Sequence, residues 1–156
     1  MAATDERLVK VRINASGKRL VGCLRLPAQG GRTSDLLNGP EPFLVVLPDE
    51  YAILGKCKTS HGVAKHAISY VEALEEPSGN AFQKPDGGKF VSVVAELHEP
   101  QTQVLAEVFV PEDQTVMDVL NDPRPFISMR NVHFSNFVER YGFLAVGKNQ
   151  LVLLKG

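Results

Sequence analysis

Cysteine, tryptophan and long apolar runs are scarce or missing in this sequence, and each shortage excludes a class of protein. Only two cysteines, Cys23 and Cys57, occur among the 156 residues, which is too few for a disulfide framework. The apolar run near the middle of the chain, Phe43 to Leu47, is far shorter than the roughly 20 residues of a membrane-spanning helix. We therefore expect neither a disulfide-stabilised scaffold nor a membrane partner.

An excess of one charge is also lacking. Seventeen Lys and Arg residues stand against eighteen Asp and Glu residues, so the formal net charge is -1. A molecule with this balance has no overall attraction to nucleic acids or acidic membranes. The first ten residues contain no apolar stretch of the kind that a secretory signal requires. Together with the scarcity of cysteine, this favours the cytoplasm as the expected location.

Motifs that carry catalysis are missing as well. The sequence contains no Gly-x-Ser-x-Gly motif, no glycine-rich phosphate loop ahead of a helix and no paired acidic motif. We therefore predict a protein that is not an enzyme, with no catalytic residues, no cofactor and no small-molecule substrate.

The chain does contain an internal duplication. Asp35 to Phe43 and Asp118 to Phe126 are identical at six of nine positions, at an offset of 83. With one single-residue gap, Leu8 to Pro27 matches Ser92 to Pro111. Two copies are too few for a solenoid. We therefore expect repeat one over residues 1–74 and repeat two over 90–156, joined by a proline- and glycine-containing linker over 75–89.

Each repeat has the alternation of apolar and polar residues that is typical of strands. Val9, Val11 and Ile13 alternate with polar residues, and Ser16-Gly17 then marks a hairpin turn. Five short strands in so few residues favour a small barrel, because closure buries a core that an open sheet would expose. The predicted fold is all-β: two tandem small five-stranded barrels, each with one short helical turn.

The helical turns carry an aspartate and an asparagine in both copies, namely Asp35 and Asn38, and Asp118 and Asn121. Such a pair could bind a cation, yet the same prolines follow it in each repeat. We therefore interpret all four residues as structural caps. The aspartate, or Ser34 in repeat one, would cap the start, and the asparagine would take the left-handed conformation at the end.

The segment Arg32-Thr33-Ser34-Asp35-Leu36-Leu37-Asn38 follows a Gly-x-Leu-x-Leu-Pro strand and precedes an apolar strand. This arrangement resembles a family of bacterial domains with an Arg-Leu-Ser-Asp-x-Leu-Asn signature. The resemblance implies a small Sm-like or SH3-like barrel. It covers most of repeat one, with Thr33 in place of the signature leucine, whereas repeat two departs further by having Val116 and Met117 in place of Thr33 and Ser34. The resemblance implies no particular activity, since small barrels serve as adaptors, nucleic-acid binders and oligomer subunits alike.

Cys57, His61 and His66 form the one cluster of metal-ligating residue types, with spacings C-x3-H and H-x4-H. A fourth ligand is missing nearby, and the equivalent residues of repeat two are neither Cys nor His. We therefore expect no metal site. A small enzyme or metal sensor centred on these three residues is the weakest of the functional alternatives.

Basic residues of the first hairpin, Lys10, Arg12, Arg19 and Arg25, alternate with its apolar residues. We expect all four on the solvent side, where they would form a basic face suited to an anionic partner such as RNA or an acidic protein. No aromatic residue lies between them to stack bases. A nucleic-acid-binding barrel is therefore the alternative function.

Repeat two has apolar residues at the equivalent outward positions: Val94, Leu105 and Phe109. Apolar outward residues need a cover, either from the other barrel, from a partner or from a second subunit. The function that we predict is therefore a non-catalytic cytoplasmic adaptor or scaffold, which binds protein partners or itself through barrel faces and strand edges.

Overall fold

The computed structural model describes residues 6–27, 32–48, 60–74, 87–98, 101–135 and 140–155. These residues are mostly β, which confirms the all-β prediction. Repeat one contains β1 (Glu6–Ala15), β2 (Lys18–Pro27), α1 (Thr33–Leu37), β3 (Phe43–Pro48), β4 (His61–Ala64), a 3-10 turn (Lys65–Ala67) and β5 (Ile68–Ala73). Repeat two contains β6 (Gly88–Leu97), β7 (Thr102–Pro111), α2 (Val116–Leu120), β8 (Phe126–Phe134), β9 (Arg140–Gly147), a 3-10 turn (Lys148–Gln150) and β10 (Leu151–Lys155).

The strands form one antiparallel sheet in the order β10-β6-β7-β8-β9-β5-β1-β2-β3-β4. Two separate closed barrels, which the sequence led us to expect, are not confirmed. The repeats are instead joined by pairing of β5 with β9, in which Tyr70 lies opposite Val146 and Val71 opposite Ala145. β5 can serve both repeats because its first four residues are all buried, so that each of its faces covers a core.

The first hairpin turns where the sequence predicts. Ser16 and Gly17 have φ values of 49° and 75°, the paired positive values of a type I′ turn, whose twist matches that of the strands. β1 and β2 are then paired from Glu6 with Pro27 to Ala15 with Lys18. The second hairpin begins at Gly88, so β6 includes the last two residues of the predicted linker. Residues 75–86 of that linker lie outside the described ranges.

Equivalent positions of the first strand point into the core in both repeats. Val9, Val11 and Ile13 of β1 are buried, and so are their equivalents in β6, Val93, Ala95 and Leu97. No helix in the described part of the chain is long and apolar enough to cross a membrane.

Each repeat contributes an aromatic side chain to the core of the other. Tyr70 of repeat one belongs to the apolar cluster of repeat two, where its ring packs edge-on against Phe134 at 5.1 Å between centroids. Phe126 of repeat two, together with Ala145, belongs to the cluster of repeat one. The two cores therefore depend on each other.

This exchange distinguishes two phenylalanines that the duplication makes equivalent. Phe126 is 3% exposed, whereas its counterpart Phe43 is 54% exposed. Phe126 is covered because it lies where the repeats meet, while β3, which carries Phe43, lies next to the end of the sheet. Equivalent sequence has therefore led to opposite environments.

We expect Phe126→Ala to lower the free energy of unfolding by about 3–5 kcal/mol, the usual cost of removing a buried phenylalanine. Phe43→Ala is the matched control and should cost less than about 1 kcal/mol, because its side chain already contacts water. Urea unfolding at low protein concentration measures both values. Equal losses in the two variants would contradict the exchange of aromatic side chains between the repeats.

Candidate functional site

Both helical turns begin with a hydrogen bond to the predicted aspartate. The Asp35 carboxylate accepts from the backbone N–H of Arg32 at 3.2 Å, and the Asp118 carboxylate accepts from that of Thr115 at 2.8 Å. In α2 the Thr115 hydroxyl also accepts from the backbone N–H of Asp118, which completes a capping box. The two carboxylates satisfy backbone donors of the first turn, where negative charge is also favourable.

The predicted left-handed conformation of Asn38 and Asn121 is wrong. Their φ values are -90° and -91°, because both residues continue the turn and donate their backbone N–H to a carbonyl four residues back. The Asn38 side chain instead reaches the other repeat. Its Oδ1 accepts the backbone N–H of Phe126 at 2.9 Å. The residue therefore links the two repeats, which its local sequence cannot reveal.

A lysine from each 3-10 turn closes the end of the helical turn in its own repeat. Lys65 Nζ donates to the carbonyl oxygens of Leu36 at 3.1 Å and Gly39 at 3.2 Å. Lys148 Nζ donates to the equivalent carbonyls of Val119 and Asp122 at 3.0 and 3.1 Å. Burial lowers the pKa of Lys65. The sequence signal for this role is that both repeats have a lysine at this position, Lys65 and Lys148, at the offset of 83.

Asp122 adds a carboxylate to this arrangement in repeat two, where repeat one has Gly39. Its Oδ2 accepts from the Arg124 guanidinium at 2.7 Å, and its Oδ1 accepts from Lys148 Nζ at 2.8 Å. These hydrogen bonds, above all that from Arg124, hold the pKa of Asp122 well below its usual range. Arg124 and Lys148 therefore share one carboxylate.

A groove of about 570 Å³ lies between α1 of repeat one and the outer side of repeat two; we call it the inter-repeat groove. Phe90, Phe109 and Phe143 line it together with Arg32 and Arg130. The Arg130 guanidinium lies 3.3 Å from the centroid of the Phe90 ring. Sequence reasoning did not single out Phe90, Phe143 or Arg130, and it named Arg32 only as part of the signature, because the groove exists only where the repeats meet.

Arg130 is also ion-paired, since its Nε donates to Glu107 Oε1 at 2.7 Å. Asn131 donates to the same oxygen at 3.1 Å. The charge of this arginine is therefore balanced within repeat two, and the aromatic side chains dominate this part of the groove.

The three predicted interface residues form two groups on the same side of repeat two. Val94 and Leu105 are cross-strand neighbours, and Leu105 is 46% exposed. Phe109 lies further along β7, half-buried and edge-on to Phe90 at 5.5 Å between centroids. We call the surface formed by Val94, Leu105, Phe109 and Phe90 the repeat-two face.

Strand register places the four predicted basic residues on one side of the first hairpin. Arg19 and Arg25 are exposed, but Lys10 and Arg12 are half-buried. Arg12 donates to the Glu72 carboxylate at 3.0 Å. The buried Cys23 lies directly opposite Lys10 on the same side. The basic face is thus interrupted and partly neutralised, and differs from the solvated surface that we expected.

The potential metal ligands are not brought together in the described residues. His61 and His66 are exposed, on β4 and on the adjoining 3-10 turn, and Cys57 lies outside the described ranges. Within those ranges no group of three or more His, Cys, Asp or Glu side chains could hold a metal ion.

Comparison of the chain with protein-family models, with curated proteins and with solved structures finds no match. The surfaces of the chain itself are therefore the basis on which a function is assigned.

We expect Asn38→Ala to cost about 1–3 kcal/mol of stability, because the N–H of the buried Phe126 loses its acceptor. Asn121→Ala is the control, since the Asn121 side chain is exposed and makes no such bond within the described residues. It should cost less than about 1 kcal/mol. Thermal or urea unfolding of both variants tests this, and a larger loss in Asn121→Ala would be contrary to the expectation.

The ionised Asp122 carboxylate should stabilise the fold, and this contribution to the free energy of unfolding should be lost in acid. A folded-state pKa below the unfolded value stabilises the fold at pH values above about 4, and this stabilisation is lost as the pH falls further. Asp122→Asn should therefore cost about 1 kcal/mol at pH 7 and give a flatter stability profile below about pH 4. Asp113→Asn, in an exposed turn, should keep the wild-type profile. Urea unfolding between pH 2 and 7 supplies the measurement, and an unchanged slope in Asp122→Asn would contradict this role.

Proposed function

We propose that this protein is a non-catalytic cytoplasmic interaction module, an adaptor or scaffold that binds a protein partner through the repeat-two face. The observation that carries the proposal is the exposure of Leu105 beside Val94 on paired strands of the sheet. A leucine at an exposed strand position gains from being covered, and burial of such a side chain is worth about 1.5–3 kcal/mol.

The chemistry around Leu105 supports a protein partner. The repeat-two face has two apolar groups, Val94 with Leu105 and Phe90 with Phe109, and the Glu107–Arg130 pair lies between them. His133 and Arg140 border a shallow depression next to Leu105. Exposed apolar and aromatic residues with an arginine among them are typical of protein interfaces.

Nucleic acid is the less favoured partner because three arginines are already paired and, within the predicted basic face, only Arg19 and Arg25 are exposed. Arg12 is paired with Glu72, Arg124 with Asp122, and Arg130 with Glu107. A phosphate backbone would have to compete with these carboxylates. Co-purifying RNA or DNA would reverse this preference.

We also propose that each repeat is a small-barrel unit of the Sm-like or SH3-like kind, related to the bacterial family with the Arg-Leu-Ser-Asp-x-Leu-Asn signature. Support comes from the strand order, which in each repeat is fifth, first, second, third and fourth. A helical turn follows the second strand and a 3-10 turn follows the fourth in both copies. Such units commonly serve as adaptors.

Leu105→Asp tests the proposed function. We expect at least about tenfold weaker binding of the partner, because a carboxylate would be buried in an apolar contact. Gln103→Asp is the matched control: it introduces the same charge at an exposed position two residues away on the same side of β7. Both variants should keep the wild-type thermal midpoint. Phe109→Asp is less informative, since Phe109 is half-buried against Phe90.

The partner would be captured from the native organism with the wild-type protein, and its affinity for each variant would then be measured by titration. Equal affinity for wild-type protein and Leu105→Asp would show that the repeat-two face is not the binding surface.

A further inference from the structure

The sheet has two free ends. β10 and β4 are its terminal strands, and neither has a second strand neighbour among the described residues. A terminal strand presents unpaired backbone N–H and C=O groups, which can pair with another chain.

These two strands are the repeat equivalents of the pair that joins the repeats internally. The offset of 83 matches β10 with β5, and β4 with the last four residues of β9. β5 and β9 pair directly at the centre of the sheet. The molecule therefore contains one completed junction and, at its two ends, the uncompleted halves of a second.

Apolar exposure is found at both ends. Phe43 and Val45 on β3 are more than half exposed next to β4, and Val152 on β10 is 65% exposed. At the completed junction, by contrast, the counterparts of Phe43 and Val152 are buried: these are Phe126 and Ser69. A second junction of the same kind would cover Phe43 and Val152 in the same way.

We propose that a second copy of this chain adds head to tail, with β10 of one copy pairing with β4 of the next. The internal register places Leu153 opposite Val63 and Leu154 opposite Gly62. The contact uses different surfaces on the two copies, so each added copy keeps one free end. Assembly therefore continues past the dimer or closes as a ring. This contact does not involve the repeat-two face and goes beyond the proposed function.

An asparagine is also placed to repeat the internal hydrogen bond. Asn38 accepts the backbone N–H of Phe126 across the completed junction. The equivalent atoms at the second junction are the side chain of Asn121 in one copy and the backbone N–H of Phe43 in the next. Asn121 is exposed within its own copy and so accessible to this donor.

One methyl group weakens the second junction relative to the first. A Cβ at Gly147 would collide with the carbonyl oxygen of Ile68, so the internal junction requires glycine there. Repeat one has Ala64 at the equivalent position, and its methyl group faces the incoming carbonyl of Leu151. The strands must shift to accommodate it. Association between copies is therefore weaker than the internal junction and reversible.

Ala64→Gly is the decisive variant because it should strengthen association instead of disrupting it. Sedimentation velocity and light scattering over a wide range of protein concentration measure the midpoint of assembly. We expect Ala64→Gly to lower that midpoint about tenfold, and Phe43→Asp or Val152→Lys to raise it by at least about tenfold. Val21→Asp is the control, since Val21 is a comparably exposed valine away from both ends, on β2.

Hydrogen exchange locates the contact independently. Backbone amides of residues 61–64 and 151–155 should gain protection as concentration rises, and this gain should be absent in Val152→Lys. Wild-type protein and Ala64→Gly that both stay monomeric at millimolar concentration would overturn the proposal. So would assembly that Leu105→Asp abolishes while Phe43→Asp leaves it unchanged, because that result assigns self-association to the repeat-two face. Loss of partner binding in Leu105→Asp with normal assembly would leave both proposals standing.

Discussion

Pairing between β5 and β9 places Tyr70 opposite Val146 and Val71 opposite Ala145, and each of these strands is then buried on both faces. A side chain that points away from the core of one repeat points into the core of the other. Tyr70 of β5 and Ala145 of β9 reach the opposite cores in this way, and Phe126 of the neighbouring β8 does so beside them. The inter-repeat groove, the hydrogen bond from Phe126 to Asn38 and the continuous sheet all follow from this contact.

The junction also makes the two repeats unequal. Only one of the two equivalent junctions is formed within the chain, so one copy of each junction element is buried and the other is left at an end of the sheet. The difference between Phe126 and Phe43 is the clearest example. Gly147 and Ala64, which are also equivalent in the duplication, differ for the same reason. The Ile68 carbonyl approaches closely at the completed junction, and glycine is required only there. Duplication thus supplied two similar units, and their contact gave each position a separate role.

Several charged side chains near the candidate surfaces are held in local ion pairs. Arg124 and Lys148 share the carboxylate of Asp122, Arg130 is paired with Glu107, and Arg12 is paired with Glu72. Paired charges of this kind orient side chains and discriminate between partners, but attract polyanions weakly. Leu105 of the repeat-two face and the apolar residues at the sheet ends are among the exposed large hydrophobic residues of the described surface, and covering such side chains is favourable.

Local patterns in the sequence determined the strands, their inward faces, the turn at Ser16-Gly17 and the two helical turns with their aspartates. Such features depend on backbone geometry over a few residues, so a period of two or a pair of turn residues is enough to predict them. Only the tertiary structure decided three features: that both repeats share one sheet, that Phe126 is buried while Phe43 is exposed, and that Asn38 accepts a hydrogen bond from Phe126. The Asn38–Phe126 bond spans 88 residues, and nothing near either residue records which strand will lie beside it. The same alternation of apolar and polar residues fits a repeat that closes on itself and a repeat that pairs with its neighbour. Long-range packing selects between these two arrangements.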